Sequence, residues 1–142
     1  MAADDFFHDL YETALEPGEL LSAILVPAIR PHQRMRFDEL ARRRGDYAIV
    51  GVAANVSMAG GKITDIRLAF CAVGNTPTRA TNAERALSRQ TFDASLIQAA
   101  KDALSDDLAP DGDDTLSGDT KLRLARVLLG RVLTNLAAET NA

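Results

Sequence analysis

The sequence predicts an α+β fold in which a small antiparallel β-sheet of three or four strands is followed by helices packed on it. Two patterns carry this prediction. Apolar residues at every second position indicate a central β-hairpin at about residues 47–73. Beyond residue 80 the apolar spacing changes to three and four, which is typical of amphipathic helices. With 142 residues, 46% of them hydrophobic, the chain has the size of one domain, and we expect residues 1–142 to form it.

The N-terminal part predicts short elements separated by proline and glycine. Residues 4–10 favour a short helix, because acids in the first turn suit the positive end of the helix dipole and the apolar residues share one side. Glu16-Pro17-Gly18 is typical of a turn, and residues 20–26 predict a first strand that Pro27 closes. Residues 35–40 fit a strand or a helix.

The central hairpin follows. Its first strand carries the predicted buried face at the even positions, which are Ala48, Val50, Val52, Ala54, Val56 and Met58. Gly60 and Gly61 then occupy the two positions where a tight hairpin turn requires positive φ angles. The return strand continues the same face with Ile66, Leu68, Phe70 and Ala72.

Three helices are expected after the hairpin. Thr81 and Glu84 have the spacing of a capping box, so a short helix should begin there. Thr91 can cap a second helix. The predicted buried face of that helix consists of Phe92, Leu96, Ala99, Ala100 and Ala103. After an acidic loop, Ser117 or Asp119 starts the longest helix. Its apolar stripe is Leu122, Ala125, Leu129, Val132 and Leu136.

Composition excludes several classes of function. The net charge of −4 and the pI near 5.1 disfavour nucleic-acid binding, which needs a cationic surface. No apolar run approaches the roughly 20 residues of a membrane-spanning helix, and the acidic N-terminus is unlike a signal peptide, so a soluble cytoplasmic protein is expected. The single Cys71 permits no internal disulfide and is expected to be a small buried apolar residue.

Motifs of self-sufficient catalysis are missing from the sequence. His8 and His32 lie outside any metal-ligand spacing, and no metal site is predicted. Gly60-Gly61 lacks the helix and the Gly-Lys-Ser/Thr ending of a phosphate loop. The acidic loop at residues 106–114 lacks the spacing of a calcium-binding loop and is expected to be a solvated linker. Catalysis by this chain alone is therefore not predicted.

One charged segment, Arg42-Arg43-Arg44-Gly45-Asp46, stands out because it runs directly into the hairpin. Guanidinium groups and turn N–H groups suit a phosphate, a carboxylate or an electron-rich ring. A small anion is one candidate ligand for this turn. Two alternatives remain open, which are a solvated charge run and ion pairs from Arg43 and Arg44 to Asp46 or Asp38.

Four segments stand out when they are taken in order, and they are residues 6–21, Arg42-Arg43-Arg44-Gly45-Asp46-Tyr47-Ala48, Ala72-Val73-Gly74-Asn75-Thr76-Pro77-Thr78-Arg79-Ala80, and Ala83-Glu84-Arg85-Ala86-Leu87. Together they resemble a known family, the C-terminal domain of the FAD-binding medium subunit of molybdenum hydroxylases such as carbon monoxide dehydrogenase and xanthine dehydrogenase. The last helix departs from the pattern, since Gly118-Asp119-Thr120-Lys121-Leu122-Arg123 replaces the usual Ser-x-x-Tyr-Arg start.

The resemblance implies an α+β domain that helps to cover the isoalloxazine ring of FAD. In such complexes electrons pass from molybdenum through two iron–sulfur clusters to the flavin. Carried over residue by residue, Tyr11 would approach the flavin, and Arg43, Arg44, Gly45 and Asp46 would lie near the cofactor or an inter-domain surface. The alternative for Tyr11 is an anchor between helix and sheet.

The family's FAD-binding domains and their glycine-rich segments are not found in this sequence. FAD is therefore expected only together with those domains or a partner chain, and none is expected on the isolated chain. The implied partners are an FAD-binding polypeptide, a molybdopterin large subunit and an iron–sulfur small subunit. A second hypothesis is a stand-alone interaction module without redox activity that associates with itself as a homodimer.

Overall fold

The computed structural model describes residues 1–140 and confirms the α+β fold. The described residues form a 2-stranded sheet, a 4-stranded sheet and three α-helices. The strands are β1 (Phe7–Asp9), β2 (Glu12–Thr13), β3 (Gln33–Ala41), β4 (Ala48–Ala59), β5 (Lys62–Cys71) and β6 (Thr78–Arg79). The helices are α1 (Thr81–Leu87), α2 (Ala94–Asp107) and α3 (Gly118–Thr140).

The larger sheet is antiparallel throughout, in the order β3-β4-β5-β6, and the predicted central hairpin is confirmed as β4 and β5. Val56 pairs with Ile66 in this hairpin, and Ala54 pairs with Leu68. Gly60 and Gly61 have φ angles of 56° and 74°, as a turn with two left-handed central residues requires. The ambiguous residues 35–40 belong to strand β3, because β4 offers them a complete antiparallel partner.

The core lies between the inner face of this sheet and α3. The buried apolar residues of the sheet are Val50, Val52, Ala54, Val56, Ile63, Ile66, Leu68 and Phe70. Those of α3 are Ala125, Leu128, Leu129, Val132, Leu133 and Leu136. Arg131 donates to Asp38 at 3.2 Å, and Arg36 pairs with Glu139, so ion pairs from β3 to α3 border this contact.

Helix α1 begins at the predicted residue but is capped differently. The N-cap Ala80 offers no side-chain hydrogen bond, and the Asp107 carboxylate accepts instead from the Asn82 and Ala83 N–H groups at 2.8 and 2.9 Å. The predicted capping box is wrong because Glu84 is engaged elsewhere. Its carboxylate accepts from the Leu68 N–H at 2.7 Å and from the Arg79 guanidinium.

The cap of α2 also differs from the prediction, whereas the cap of α3 agrees with it. Asp93 caps α2 in place of Thr91, because its carboxylate accepts from the Leu96 N–H at 2.7 Å, and this bond lowers the pKa of Asp93. The prediction for α3 is confirmed, since the Ser117 hydroxyl accepts from the Thr120 N–H at 3.2 Å. Ala99, which was predicted on the buried face of α2, is exposed.

Two strand-end residues also depart from expectation. Ala72 is exposed with a φ of 61°, because β5 ends one residue earlier and the chain turns away. Cys71 is half-buried on the outer face of the sheet rather than in the core. Its sulfur lies over Gly51, where an added Cβ would stand 2.6 Å from Sγ. Burial, with a contribution from Glu39, raises the pKa of the Cys71 thiol.

Two N-terminal predictions are wrong. The predicted helix at residues 4–10 is a 3₁₀ turn, Ala3–Asp5, followed by strand β1, which pairs with β2. The predicted strand at residues 20–26 has no strand partner among residues 1–140, and all of its residues are exposed. No helix in the described part of the chain is long and apolar enough to cross a membrane.

Candidate functional site

Tyr11 lies at the tip of the small hairpin formed by β1 and β2. Its side chain is 100% exposed, and its φ of 58° places a non-glycine residue in the left-handed region. The hairpin is tied to the larger sheet through Asp9, whose carboxylate accepts from the Leu10 N–H at 2.7 Å and from the Asn75 amide at 2.6 Å. These two bonds lower the pKa of Asp9. The ring of Tyr11 is therefore presented outward, and it does not anchor a helix to a sheet.

The turn between β3 and β4, residues 42–47, is exposed along its whole length. Gly45 has a φ of 81°, which allows the Asp46 N–H to donate to the Arg43 carbonyl at 3.2 Å. The Asp46 carboxylate accepts from the Tyr47 N–H at 2.9 Å. Within residues 1–140 neither Arg43 nor Arg44 forms an ion pair, and Asp38 is paired with Arg131 instead. Their guanidinium groups are thus available to an external partner.

A cleft of about 280 Å³ joins this turn to the start of α3. Its lining includes Arg42, Asp46 and Tyr47 on one side and Asp113 and Lys121 on the other. Lys121 donates to Asp113 at 2.9 Å. That contact, together with the Thr115 and Leu116 N–H groups, lowers the pKa of Asp113 to about 2. Because the lining contains the two acids Asp46 and Asp113 as well as the two cations Arg42 and Lys121, the cleft does not concentrate the positive charge that a small anion requires.

The predicted site residues therefore fall on two hairpins. Tyr11 lies on the β1–β2 hairpin, and Arg43, Arg44, Gly45 and Asp46 lie on the β3–β4 turn. The connection after β5 contacts both regions, since Ala72 lines the cleft and Asn75 binds Asp9.

Sequence reasoning did not single out Tyr47, Asp113 or Lys121 as site residues. Tyr47 is 95% exposed beside the arginines, and its position within the charged signature was an available signal. The approach of Asp113 and Lys121 to this turn depends on long-range packing, for which the sequence contains no local pattern.

Comparison with known proteins places this architecture in a family. The sequence model described as the CO dehydrogenase flavoprotein C-terminal domain matches residues 35–136. The carbon monoxide dehydrogenase medium chain of Afipia carboxidovorans is 32% identical over 133 residues, which is 94% of this chain and 46% of that protein.

Two solved structures have the same fold. Quinoline 2-oxidoreductase from Pseudomonas putida 86 is 36% identical with a TM-score of 0.84, covering 96% of this chain and 47% of that one. Reconstituted CO dehydrogenase from Oligotropha carboxidovorans is 31% identical with a TM-score of 0.89, covering 97% of this chain and 48% of that one. The chain spans about half the length of the curated relatives it matches. It belongs to the CO dehydrogenase flavoprotein C-terminal domain family.

Proposed function

We propose that this chain acts as the C-terminal part of the FAD-binding medium subunit of a molybdenum hydroxylase. In this role it covers the flavin and docks partner subunits, while the remaining half of the medium subunit holds the cofactor. The partners are a molybdopterin large subunit and an iron–sulfur small subunit. A cytoplasmic location is part of the proposal, supported by the single cysteine, which gives this chain no internal disulfide of the kind that oxidising compartments favour.

The observation that carries the proposal is the presentation of Tyr11. A large aromatic ring that is 100% exposed has no role in the packing of this chain. A planar ring system such as isoalloxazine offers a face that an aromatic side chain can contact. Left-handed non-glycine residues are costly and cluster at functional sites, and the φ of 58° at Tyr11 fits that association.

The residues of this chain fit one side of a flavin pocket rather than a complete FAD-binding site. When bound, FAD would accept two electrons and pass them on to an external acceptor. Its pyrophosphate needs a loop of backbone N–H groups at the start of a helix. Gly60 and Gly61 are committed to a hairpin turn that leads into strand β5. The segment that leads into α3 is acidic, with Asp111, Asp113 and Asp114. Tyr11 can thus border the ring, while the phosphates would be bound by other residues.

The turn at residues 42–46 would serve the docking part of this function. Its exposed guanidinium groups can form bidentate bonds to carboxylates of a neighbouring polypeptide or to a cofactor phosphate. We assign Arg43, Arg44, Gly45 and Asp46 to this contact surface. These residues would position the subunits, whereas Tyr11 would contact the cofactor.

A hybrid protein tests the proposal. The half of the Oligotropha carboxidovorans chain that lies outside the match is joined ahead of residues 1–142 of this chain. We expect the hybrid to bind FAD with quenched flavin fluorescence, because a tyrosine in contact with the ring donates an electron to the excited flavin, and the electron then returns without emission of light. Tyr11→Ala and Tyr11→Phe should both restore fluorescence severalfold, because neither side chain can donate the electron, whereas Tyr11→Trp should keep most of the quenching.

Tyr47→Ala is the matched control, since Tyr47 is 95% exposed, close to the value for Tyr11, but lies on the turn between β3 and β4. Equal effects of the two alanine variants would contradict the role given to Tyr11, and a hybrid without bound flavin would contradict the proposed function as a whole. The self-associating module draws no support from these relatives. A stable homodimer of the unfused chain that persists in the hybrid would favour it.

A further inference from the structure

The hairpin that carries Tyr11 is joined to the rest of the chain by one side-chain hydrogen bond, from the Asn75 amide to the Asp9 carboxylate, called here the tether. The two strands of the hairpin have only three and two residues. A two-stranded hairpin is marginally stable in water on its own. In the described part of the chain, the other hydrogen bonds of residues 1–19 join residues within that segment. The position of the hairpin therefore depends on the tether.

The Asn75 end of the tether has a rigid support. Asn75 lies in the connection between β5 and β6, where Val73 is packed into the core. Strand β6 pairs with β5, and the Arg79 guanidinium donates to the Glu84 carboxylate at 2.8 and 2.7 Å. The side chain of Asn75 is thus presented to the solvent from a connection that is held at both ends.

The Asp9 end of the tether lies next to the hairpin tip. One carboxylate oxygen, Oδ1, accepts from the Leu10 N–H at 2.7 Å and from the Asn75 amide at 2.6 Å. Tyr11 follows two residues after Asp9, and because its ring is 100% exposed, no packing within residues 1–140 restrains it. The bond that locates Asp9 therefore also restricts where the ring of Tyr11 can lie.

We propose that Asn75 is a positioning residue for Tyr11, which it holds against the flavin through the Asp9 carboxylate. This inference rests on the proposed function. Residues 15–32, which connect the hairpin to β3, are exposed along their whole length and do not hold the hairpin in place. Without the tether the hairpin can move away from the ring system. Because electron transfer from a tyrosine to an excited flavin falls steeply with distance, flavin fluorescence reports this movement.

An exchange of the two ends of the tether tests the inference in the hybrid protein. Asn75→Asp places two carboxylates against each other, so the tether should open and the fluorescence of bound flavin should rise roughly threefold to tenfold. The double variant Asn75→Asp with Asp9→Asn restores one donor and one acceptor in reversed order. It should return the fluorescence to the level of the parent hybrid. Both variants should unfold at the parent temperature, since Asp9 and Asn75 are exposed.

Cleavage of the unfused chain by chymotrypsin provides a measurement that needs no flavin. Asn75→Asp should speed cleavage after Tyr11 severalfold, because the protease requires a stretch of chain that has separated from its partners, and the double variant should slow it again. Cleavage after Tyr47, which is 95% exposed on the turn between β3 and β4, is the internal reference and should not change. Glu12→Gln is the matched control, since it removes a carboxylate that lies opposite Asp9 and is not bonded to Asn75.

Flavin that is bound and equally quenched in the Asn75→Asp hybrid would overturn this inference and leave the proposed function standing. A double variant as fluorescent as the single variant would also overturn it, because the loss would then not come from the bond between the two residues. Unchanged cleavage after Tyr11 in the Asn75→Asp chain would overturn it without reference to flavin. A hybrid that binds no flavin would overturn the proposed function, and the role of Asn75 with it.

Discussion

Residues 1–32 and residues 33–136 are similarly apolar in sequence but differ in where their apolar groups lie. The buried residues of the core run from Val50 to Leu136, and residues 1–32 contribute none of them. Leu20, Ile24 and Leu25 are as hydrophobic as Leu128, Leu129 and Leu133, yet only the second group is covered. The difference teaches that an apolar pattern reports a need for burial, while the chain around it decides whether that need is met.

The largest expected effect comes from truncating one leucine in each region. Leu129→Ala should lower the free energy of unfolding by about 2–5 kcal/mol, because Leu129 is fully buried and its loss leaves a cavity. Leu25→Ala should change it by no more than about 0.5 kcal/mol, since Leu25 is exposed. Urea unfolding of the unfused chain measures both. Equal losses of unfolding free energy in the two variants would show that residues 20–29 are buried in solution.

A second comparison uses two carboxylates that accept hydrogen bonds between elements. Asp107→Ala should cost about 1–2 kcal/mol, because it leaves the Asn82 and Ala83 N–H groups at the start of α1 without a cap. Asp9→Ala should leave global unfolding unchanged, since Asp9 joins only the exposed β1–β2 hairpin to Asn75. Asp106→Ala is the control for a change in charge next to Asp107. Thermal unfolding measures the stability of the three variants. A large loss of stability in the Asp9 variant would show that the two regions unfold as one cooperative unit.

Low pH should decrease the free energy of unfolding of residues 33–136, because it protonates Asp113. Lys121 lowers the pKa of this carboxyl from its ordinary 3.8 to about 2 in the folded chain. Its stabilising effect is therefore complete above about pH 4 and is lost as the pH falls through about 2. Asp113→Asn should flatten the pH dependence of unfolding in that window.

Asp9→Asn gives the matched comparison for this acid effect, because the pKa of Asp9 is lowered as well. This variant should leave the slope of the free energy of unfolding against pH unchanged if the β1–β2 hairpin separates before residues 33–136 unfold. Denaturant titrations between pH 2 and pH 4 measure the slopes, and an effect of Asp9 as large as that of Asp113 would contradict this separation.

The smallest effect is expected from removing the first region. A chain that starts at Arg30 keeps the Arg30 and His32 carbonyl contacts that lead into β3. Because it loses no buried apolar residue, its unfolding temperature should stay within about 3 °C of the full chain. Calorimetry checks this, and a truncated chain that fails to fold would show that residues 1–29 belong to the core.

The parts of the fold that were predictable have local causes. Period-two burial and two adjacent glycines define the β4–β5 hairpin without help from distant residues. The strand predicted at residues 20–26 was wrong for the isolated chain because its pattern implies a partner that these residues do not meet. The cap of α1 was missed because its acceptor, Asp107, comes from the end of another helix. That residues 1–142 form a single domain stays a prediction.

The candidate site divides in the same way. The arginine turn was visible as a charge cluster beside a strand. Tyr11 was identified through the family resemblance, since no periodic pattern singles it out. The contribution of Asp113 and Lys121 to the cleft depends on how α3 lies against the sheet, which is a long-range consequence of core packing.

The contact of Gly51 with Cys71 has an evolutionary consequence. A methyl group at position 51 would overlap the sulfur that now fills that space, so position 51 cannot enlarge unless the side chain at position 71 moves or becomes smaller. Homologous sequences that carry alanine or a larger residue at 51 should carry a smaller one at 71. Covariation between these two sites would then mark the strand register of this sheet across species, even where overall similarity has faded.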